Sequence, residues 1–334
     1  MIAIVGAGSW GTALAIHLAR NGAGVRLCAR ATQVADTIAT RRRNPWYLSD
    51  LEIPAGVEAT ADAATALADA ELVIVAVPSE FFGATLARLT PPSRAAIISA
   101  TKGFDPARHV RMSELLRERF ATAPIAVLSG PTFAREVALA RPTAAVIASA
   151  DEALAIELQA RLGSRELRLY TNRDLVGVEA GGALKNVIAI ATGIADGLGL
   201  GENARAALVT RGLAEMTRLA VALGGEPSTL AGLAGLGDLV LTATGTLSRN
   251  RALGMALARG DSLAHAAAST RMVAEGVPTV RTALALAAAH RITMPICEEV
   301  AAVLFRQKAP AEALASLLGR APTREDATIG GRRA

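Results

Sequence analysis

Over its first half this chain alternates short apolar runs with longer stretches in which apolar residues recur at helical spacing. The apolar runs fall at residues 2–5, 25–28, 72–77, 95–99, 125–128, 144–147 and 167–170. Each is short and rich in Val, Ile and Leu, as a strand buried on both faces must be. Helical stretches follow several of them, at 11–20, 80–89, 112–120 and 152–162. This strand–helix rhythm predicts a mostly parallel sheet covered by helices. Beyond about residue 172 the rhythm stops. The remainder reads as successive helices, with breaks expected at Gly199-Leu200-Gly201, Gly224-Gly225, Gly235-Leu236-Gly237, Gly276 and Pro295. The expected organisation is an α/β Rossmann-like domain over residues 1–172, followed by an all-α domain over 173–334.

Composition narrows this picture. With 334 residues the chain can bury two sizeable cores, and 51% apolar residues with only 3% aromatics means cores of Ala, Val, Leu and Ile. The two cysteines, Cys28 and Cys297, make neither a disulfide framework nor a metal-ligand cluster, and fit a reducing, cytoplasmic setting. The first residues enter a strand without a basic leader, so no signal peptide is expected. No stretch reads as long and apolar enough to span a bilayer, since the nearest, 181–201, contains Lys185 and Asp196. A net charge of +5 is spread along the chain rather than striped with aromatics. It suits small anions, not nucleic acid.

The opening strand runs directly into Gly6-Ala7-Gly8-Ser9-Trp10-Gly11, a G-x-G-x-x-G at a strand–helix junction. Gly6 permits the turn, Gly8 lets backbone approach a pyrophosphate, and Gly11 lets the helix pack on the strand. The second strand ends at Arg30 and carries no carboxylate for the ribose hydroxyls. An arginine there pairs with a 2′-phosphate, so NADP is expected alongside NAD; a solvated surface arginine is the alternative. Thr101-Lys102-Gly103 and Gly130-Pro131-Thr132 also follow strands and fall at the sheet's ligand-binding edge. Thr132 could equally be a simple helix cap.

Lysine is rare here: only Lys102, Lys185 and Lys308 contribute to the 35 basic residues. Lys185 lies on a helix that is apolar nearly all round, where desolvation lowers an amine toward the range useful for proton transfer. Snorkelling to the surface is the bland alternative. Asp238, after two glycines, either caps a helix or holds the Lys185 ammonium. Ser248-Arg249-Asn250 opens a further helix with a hydroxyl, a guanidinium and an amide, a set that suits a phosphate monoester or an ordinary Ser cap.

Taken in order, these segments resemble the bacterial NAD(P)-dependent sn-glycerol-3-phosphate dehydrogenases over nearly the whole length. The resemblance also rests on Asn44-Pro45-Trp46-Tyr47-Leu48, Asn203-Ala204-Arg205-Ala206-Ala207 and Val273-Ala274-Glu275-Gly276. It implies that Lys185 exchanges the proton at the substrate's C2 oxygen. It implies further that Lys102, Gly130, Thr132, Asp238, Ser248, Arg249 and Asn250 line the substrate site. Ser9, Trp10, Arg30, Lys102, Ala134, Arg249, Val273 and Glu275 would then contact the cofactor. Ser49, Thr132 and Cys28 depart from the family's usual Pro, Ser and aromatic residue. A small phosphorylated substrate is implied, with a homodimer as one use of the Ala-rich helices. Two rivals remain at this level: a β-hydroxyacid dehydrogenase of the 6-phosphogluconate or hydroxyisobutyrate type, and a non-enzymatic dinucleotide sensor.

Overall fold

The computed structural model describes residues 1–268, 274–321 and 324. The chain divides into two compact units. One comprises Met1–Thr101 with Met112–Leu175, the other Lys102–Arg111 with Val176 onward. The single division expected near residue 172 therefore differs in one respect: a ten-residue segment, Lys102–Arg111, leaves the sheet unit and belongs with the helices.

The sheet unit is built on eight strands: β1 (Ile2–Val5), β2 (Val25–Cys28), β3 (Val57–Thr60), β4 (Leu72–Val75), β5 (Ala96–Ser99), β6 (Ile125–Ser129), β7 (Thr143–Ala148) and β8 (Leu167–Asn172). Their order across the sheet is β3-β2-β1-β4-β5-β6-β7-β8. All neighbours pair in parallel except β6 with β7. The order reverses between β1 and β4, which puts the crevice for a dinucleotide beside the β1 loop. Strand β3 has no counterpart in the sequence reading. It is a four-residue edge strand, Val-Glu-Ala-Thr, in which only Val57 is fully buried, so no apolar run announces it. The 80–89 stretch begins as a 3₁₀ turn, Ser79–Phe81, and continues as the short helix Phe82–Leu86.

The helical unit is organised around the helix Leu175–Gly197, here the lysine helix. Its length and composition alone would let it cross a membrane, contrary to the sequence expectation. In the structure 94% of its apolar window is buried within the protein, which makes it a core helix. Around it pack Gly201–Ala222, Asp238–Thr244, Arg249–Ala258, Gly276–Ala289 and Pro295–Arg306. Glycines set these contacts. A Cβ on Gly193 would lie 2.1 Å from the Arg251 carbonyl oxygen, and one on Gly254 would lie 2.2 Å from that of Ile190. Two helices meeting backbone to backbone leave no room for alanine. The expected break at Gly235–Gly237 is a π-helical turn, Leu233–Gly237, running straight into the next helix.

Candidate active site

In the sheet unit the glycine-rich loop has the geometry its spacing requires. Gly6 adopts φ +112°, and a Cβ there would lie 2.6 Å from the Ala76 carbonyl oxygen. On Gly11 a Cβ would fall 1.9 Å from the Gly6 carbonyl oxygen, whereas Gly8 has nothing within 4 Å. Two glycines are thus demanded by packing and the third by open approach. The helix Ser9–Arg20 starts from Gly8, which has no side chain to occupy the first N–H groups. Those groups and the helix dipole favour an anion. Trp10 Nε1 is buried with no hydrogen-bond partner among the described residues. The cradle and this indole donor both fit a bound dinucleotide.

Arg30 is exposed just past β2, its guanidinium 5.9 Å from the centre of the Phe81 ring. Asn44 completes the loop's support. Its amide donates to the Ala7 carbonyl and to Thr12 Oγ1, each at 2.9 Å, and its Oδ1 accepts from the Trp46 and Tyr47 N–H groups. Gly130 sits at φ +132° immediately after β6, close against Ala145. Thr132 is not the cap of the following helix. Phe133 holds that position, while Thr132 Oγ1 donates to the Gly130 carbonyl at 3.1 Å. Ala134 is the first residue of this helix.

The helical unit gathers the charged candidates. Lys185 is 6% exposed. Its Nζ donates to Asp238 Oδ1 at 2.5 Å and to Thr242 Oγ1 at 3.0 Å. Lys102 Nζ donates to the other carboxylate oxygen of Asp238 at 2.8 Å. Asp238, 1% exposed, therefore holds two ammonium groups rather than capping its helix. Local sequence explains how they meet. A Cβ on Gly181 would lie 2.5 Å from the Ala234 carbonyl oxygen, so the lysine helix touches the π-helical turn directly. One turn further along is Lys185; one residue past that turn is Asp238.

Burial drives the Lys185 ammonium down to about 7 against the attraction of Asp238, and the Lys102 charge lowers it further. Glu275 is pushed up by burial, opposed by Arg249, Lys185 and Lys102. Among Ser248, Arg249 and Asn250 the roles divide. Ser248 is the N-cap of Arg249–Ala258 and accepts from the Arg251 N–H at 3.2 Å. Asn250 donates to Asn186 Oδ1 at 2.8 Å and accepts from the Gly276 N–H at 3.0 Å. Arg249 alone of the three is exposed. Val273 lies outside the described residues.

Sequence reasoning missed three contributors. Thr242 follows Asp238 by one helical turn, and its hydroxyl also donates to the Asp238 carbonyl at 2.7 Å; only that i+4 spacing hinted at it. Asp196 was noted merely as a charge against membrane insertion. It receives Arg205 and Arg251, each at 2.6 Å, and ties the start of Arg249–Ala258 to the lysine helix. Glu179 pairs with Arg111 at 3.3 Å, and nothing local in the sequence joins those two.

A doubly wound sheet with a glycine cradle, and a helical unit carrying a desolvated lysine, define a dinucleotide-dependent oxidoreductase. Residues 1–155 match the family model described as NAD-dependent glycerol-3-phosphate dehydrogenase N-terminus, and residues 174–315 match that of its C-terminus. Glycerol-3-phosphate dehydrogenase [NAD(P)+] of Koribacter versatilis is 50% identical over 97% of this chain and 98% of its own. The Rhodospirillum rubrum protein of the same name is also 50% identical, over 96% and 92%. A crystal structure of glycerol-3-phosphate dehydrogenase from Coxiella burnetii superposes with a TM-score of 0.91 at 40% identity, covering 96% of this chain and 98% of the other. The chain belongs to the NAD-dependent glycerol-3-phosphate dehydrogenase family. A ketopantoate reductase from Ralstonia eutropha, at 18% identity and a TM-score of 0.60, shares the fold alone.

Proposed function

We propose that this protein interconverts dihydroxyacetone phosphate and sn-glycerol 3-phosphate, with Lys185 as the general acid and base. The observation that carries the reading is the buried Lys185 ammonium, held by Asp238 and Thr242 and brought down to about 7. An ammonium has three protons. Asp238 and Thr242 each receive one, and the third is directed to the ketone oxygen. Bound NADPH or NADH supplies the hydride that C2 accepts. As charge develops on the oxygen, Lys185 first stabilises it and then gives up its proton, leaving the secondary alcohol and a neutral amine. Solvent reprotonates the amine before the next turnover. In the oxidative direction the neutral amine takes the hydroxyl proton instead.

Asp238 keeps the lysine oriented, and Thr242 fixes its tilt. Arg249 offers a guanidinium to the substrate phosphate, and Ser248 and Asn250 hold the helix start that presents it. Gly130 and Thr132 keep their substrate assignment, and Ser9, Trp10 and Ala134 their cofactor assignment. Arg30 would take the 2′-phosphate of NADP. Cys28 and Cys297 are buried free thiols, which suits the reducing cytoplasm, where the product would supply phospholipid synthesis.

Oxidation of NADPH and NADH measured in parallel with dihydroxyacetone phosphate tests the reading. Reduction should weaken as pH rises through about 7, and oxidation should strengthen over the same range. Arg30→Ser should raise KM for NADPH about ten-fold while barely changing that for NADH, because only the former loses a charge-assisted contact. Equal effects on both would remove Arg30 from the cofactor assignment.

A further inference from the structure

Lys102 does not reach Asp238 by simple continuation of β5. The chain turns at Gly103, where φ is +152°, and runs as a closed loop to Arg111. Internal ties close it. Phe104 and Arg111 face each other in an antiparallel bridge, and the Asp105 N–H donates to the Val110 carbonyl at 2.9 Å. Asp105 Oδ1 accepts from the Ala107 and Arg108 N–H groups at 3.0 and 2.8 Å, which shapes the far end. Besides Lys102 itself, Phe104 and Arg111 fasten the loop to the rest of the helical unit. Phe104, 2% exposed, is part of that unit's apolar core. Opposite it, Arg111 Nη1 pairs with Glu179 Oε2 at 3.3 Å.

Glu179 is an unusual residue for its place. Its side chain is 1% exposed on a helix whose neighbouring Val178 and Ala180 are fully buried. A carboxylate so placed is costly unless a cation answers it, and the cation comes from the end of the loop that begins with Lys102. Because Phe104 and Arg111 are bridged directly, a shift of Arg111 passes to Phe104 and then, two residues on, to Lys102. The ion pair and the lysine are opposite ends of one stiff element.

We propose that the Arg111–Glu179 ion pair is a positioning device that holds Lys102 against Asp238 and so sets how readily Lys185 delivers its proton. This rests on the assignment of Lys185 as the proton donor. Among the described residues the charged groups facing Lys185 are Asp238 at the start of Asp238–Thr244, Lys102 on the loop and Glu275 before Gly276–Ala289, with Arg249 acting on Glu275. Lys102 is the one cation among the three facing Lys185 directly. It disfavours the Lys185 ammonium both by repulsion and by sharing Asp238. Loosening it leaves Asp238 to Lys185 alone, and the ammonium then persists to higher pH.

The test is the alkaline limb of kcat/KM for dihydroxyacetone phosphate reduction in Lys102→Met, Arg111→Met, Glu179→Gln and the Arg111→Met/Glu179→Gln double variant. Lys102→Met should move the limb upward by about one pH unit, and each of the pair variants in the same direction by about half a unit. The double variant should shift no further than either single one, since both remove one interaction. Arg111→Lys should return the limb toward the parent's position. A purely structural pair would lower Tm and leave the limb in place, so a folded Glu179→Gln protein with the parent's limb overturns the proposal. So does a Lys102→Met protein whose limb is unmoved. Glu179→Gln is nearly isosteric and neutral, which keeps the test open if Arg111→Met does not fold. Failure of the underlying assignment looks different: Lys185→Met would retain turnover.

Discussion

The two units of this molecule bury opposite chemistries. In the sheet unit the buried polar side chains are mainly hydroxyls and amides, such as Thr12, Asn44, Ser99 and Ser129, with Asp174 at the limit of burial and His17 held low by desolvation. In the helical unit Glu179, Lys185, Glu215 and Asp238 are each 6% exposed or less. The difference follows from what each half does. A dinucleotide is gripped by backbone N–H groups and a helix dipole, which need glycine and tight turns but no buried charge. Proton transfer needs a side chain that titrates near neutrality, and burial is the main cause that moves Lys185 that far. Among the described residues one half therefore buries mainly uncharged polar groups, while the other buries charges, of which Lys185 and Glu215 are moved far from their ordinary values by burial.

The largest effect should come from removing the displaced charge to which the chemistry is assigned under the proposal. Lys185→Met should cut turnover by roughly 10²–10⁴, or about 3–5 kcal/mol on the barrier. NADPH binding, followed by quenching of tryptophan fluorescence, should stay near the parent value. Parallel loss of binding and turnover would mean the two units do not divide the work this way. Next comes Gly11→Ala in the sheet unit. The new methyl would fall on the Gly6 carbonyl oxygen, so the loop or the helix must move, at a cost on the order of 3 kcal/mol. Here binding should fail first: NADPH affinity should drop sharply while the alkaline limb of residual turnover stays where it was. A shifted limb with normal affinity would contradict the separation from the other side.

How much of this was legible in the sequence follows the same division. Backbone-built features declare themselves locally: Gly6, Gly8 and Gly11 are fixed by spacing beside an apolar run, and the lysine helix by its unbroken apolar character. The edge strand β3 did not, because a half-exposed four-residue strand carries no apolar run. Charge pairs are non-local. Lys102 to Asp238 and Arg111 to Glu179 each join distant segments, and no periodicity encodes such a pairing. The transfer of Lys102–Arg111 to the helical unit was invisible for the same reason. Its apolar anchor, Phe104, looks like any other apolar loop residue until the helices are in place. Ser248 and Thr132 stood open between two readings in the sequence. Each had a bland capping role on offer; Ser248 takes it and Thr132 does not.

Glu215 offers the finest test, because it buries a charge in the helical unit and takes no part in the proposed chemistry. It sits on Gly201–Ala222, 3% exposed, and accepts from the Ile296 and Cys297 N–H groups at 2.7 and 3.3 Å. These open the helix Pro295–Arg306, whose N-cap, Met294, has no oxygen with which to cap it. Burial raises the Glu215 carboxyl to about 7, although both backbone donors and Arg218 favour the anion. Since the folded protein holds this proton more tightly than the unfolded chain, the contribution to stability is complete below about 4.5 and is lost as pH rises to about 7. Lys185 works in another window. Its depressed value makes stability rise with pH only from about 7 toward 10.5, so the range below 7 isolates Glu215 from it. Glu215→Gln keeps one acceptor oxygen and cannot ionise. Relative to the parent it should gain roughly 1–3 kcal/mol in unfolding free energy between pH 5 and pH 8, with kcat/KM and its alkaline limb unchanged. A difference that stays constant with pH would mean that the carboxylate is ionised throughout. A moved limb would mean that the charges of the helical unit act as one set, and that capping and proton transfer are not independent there.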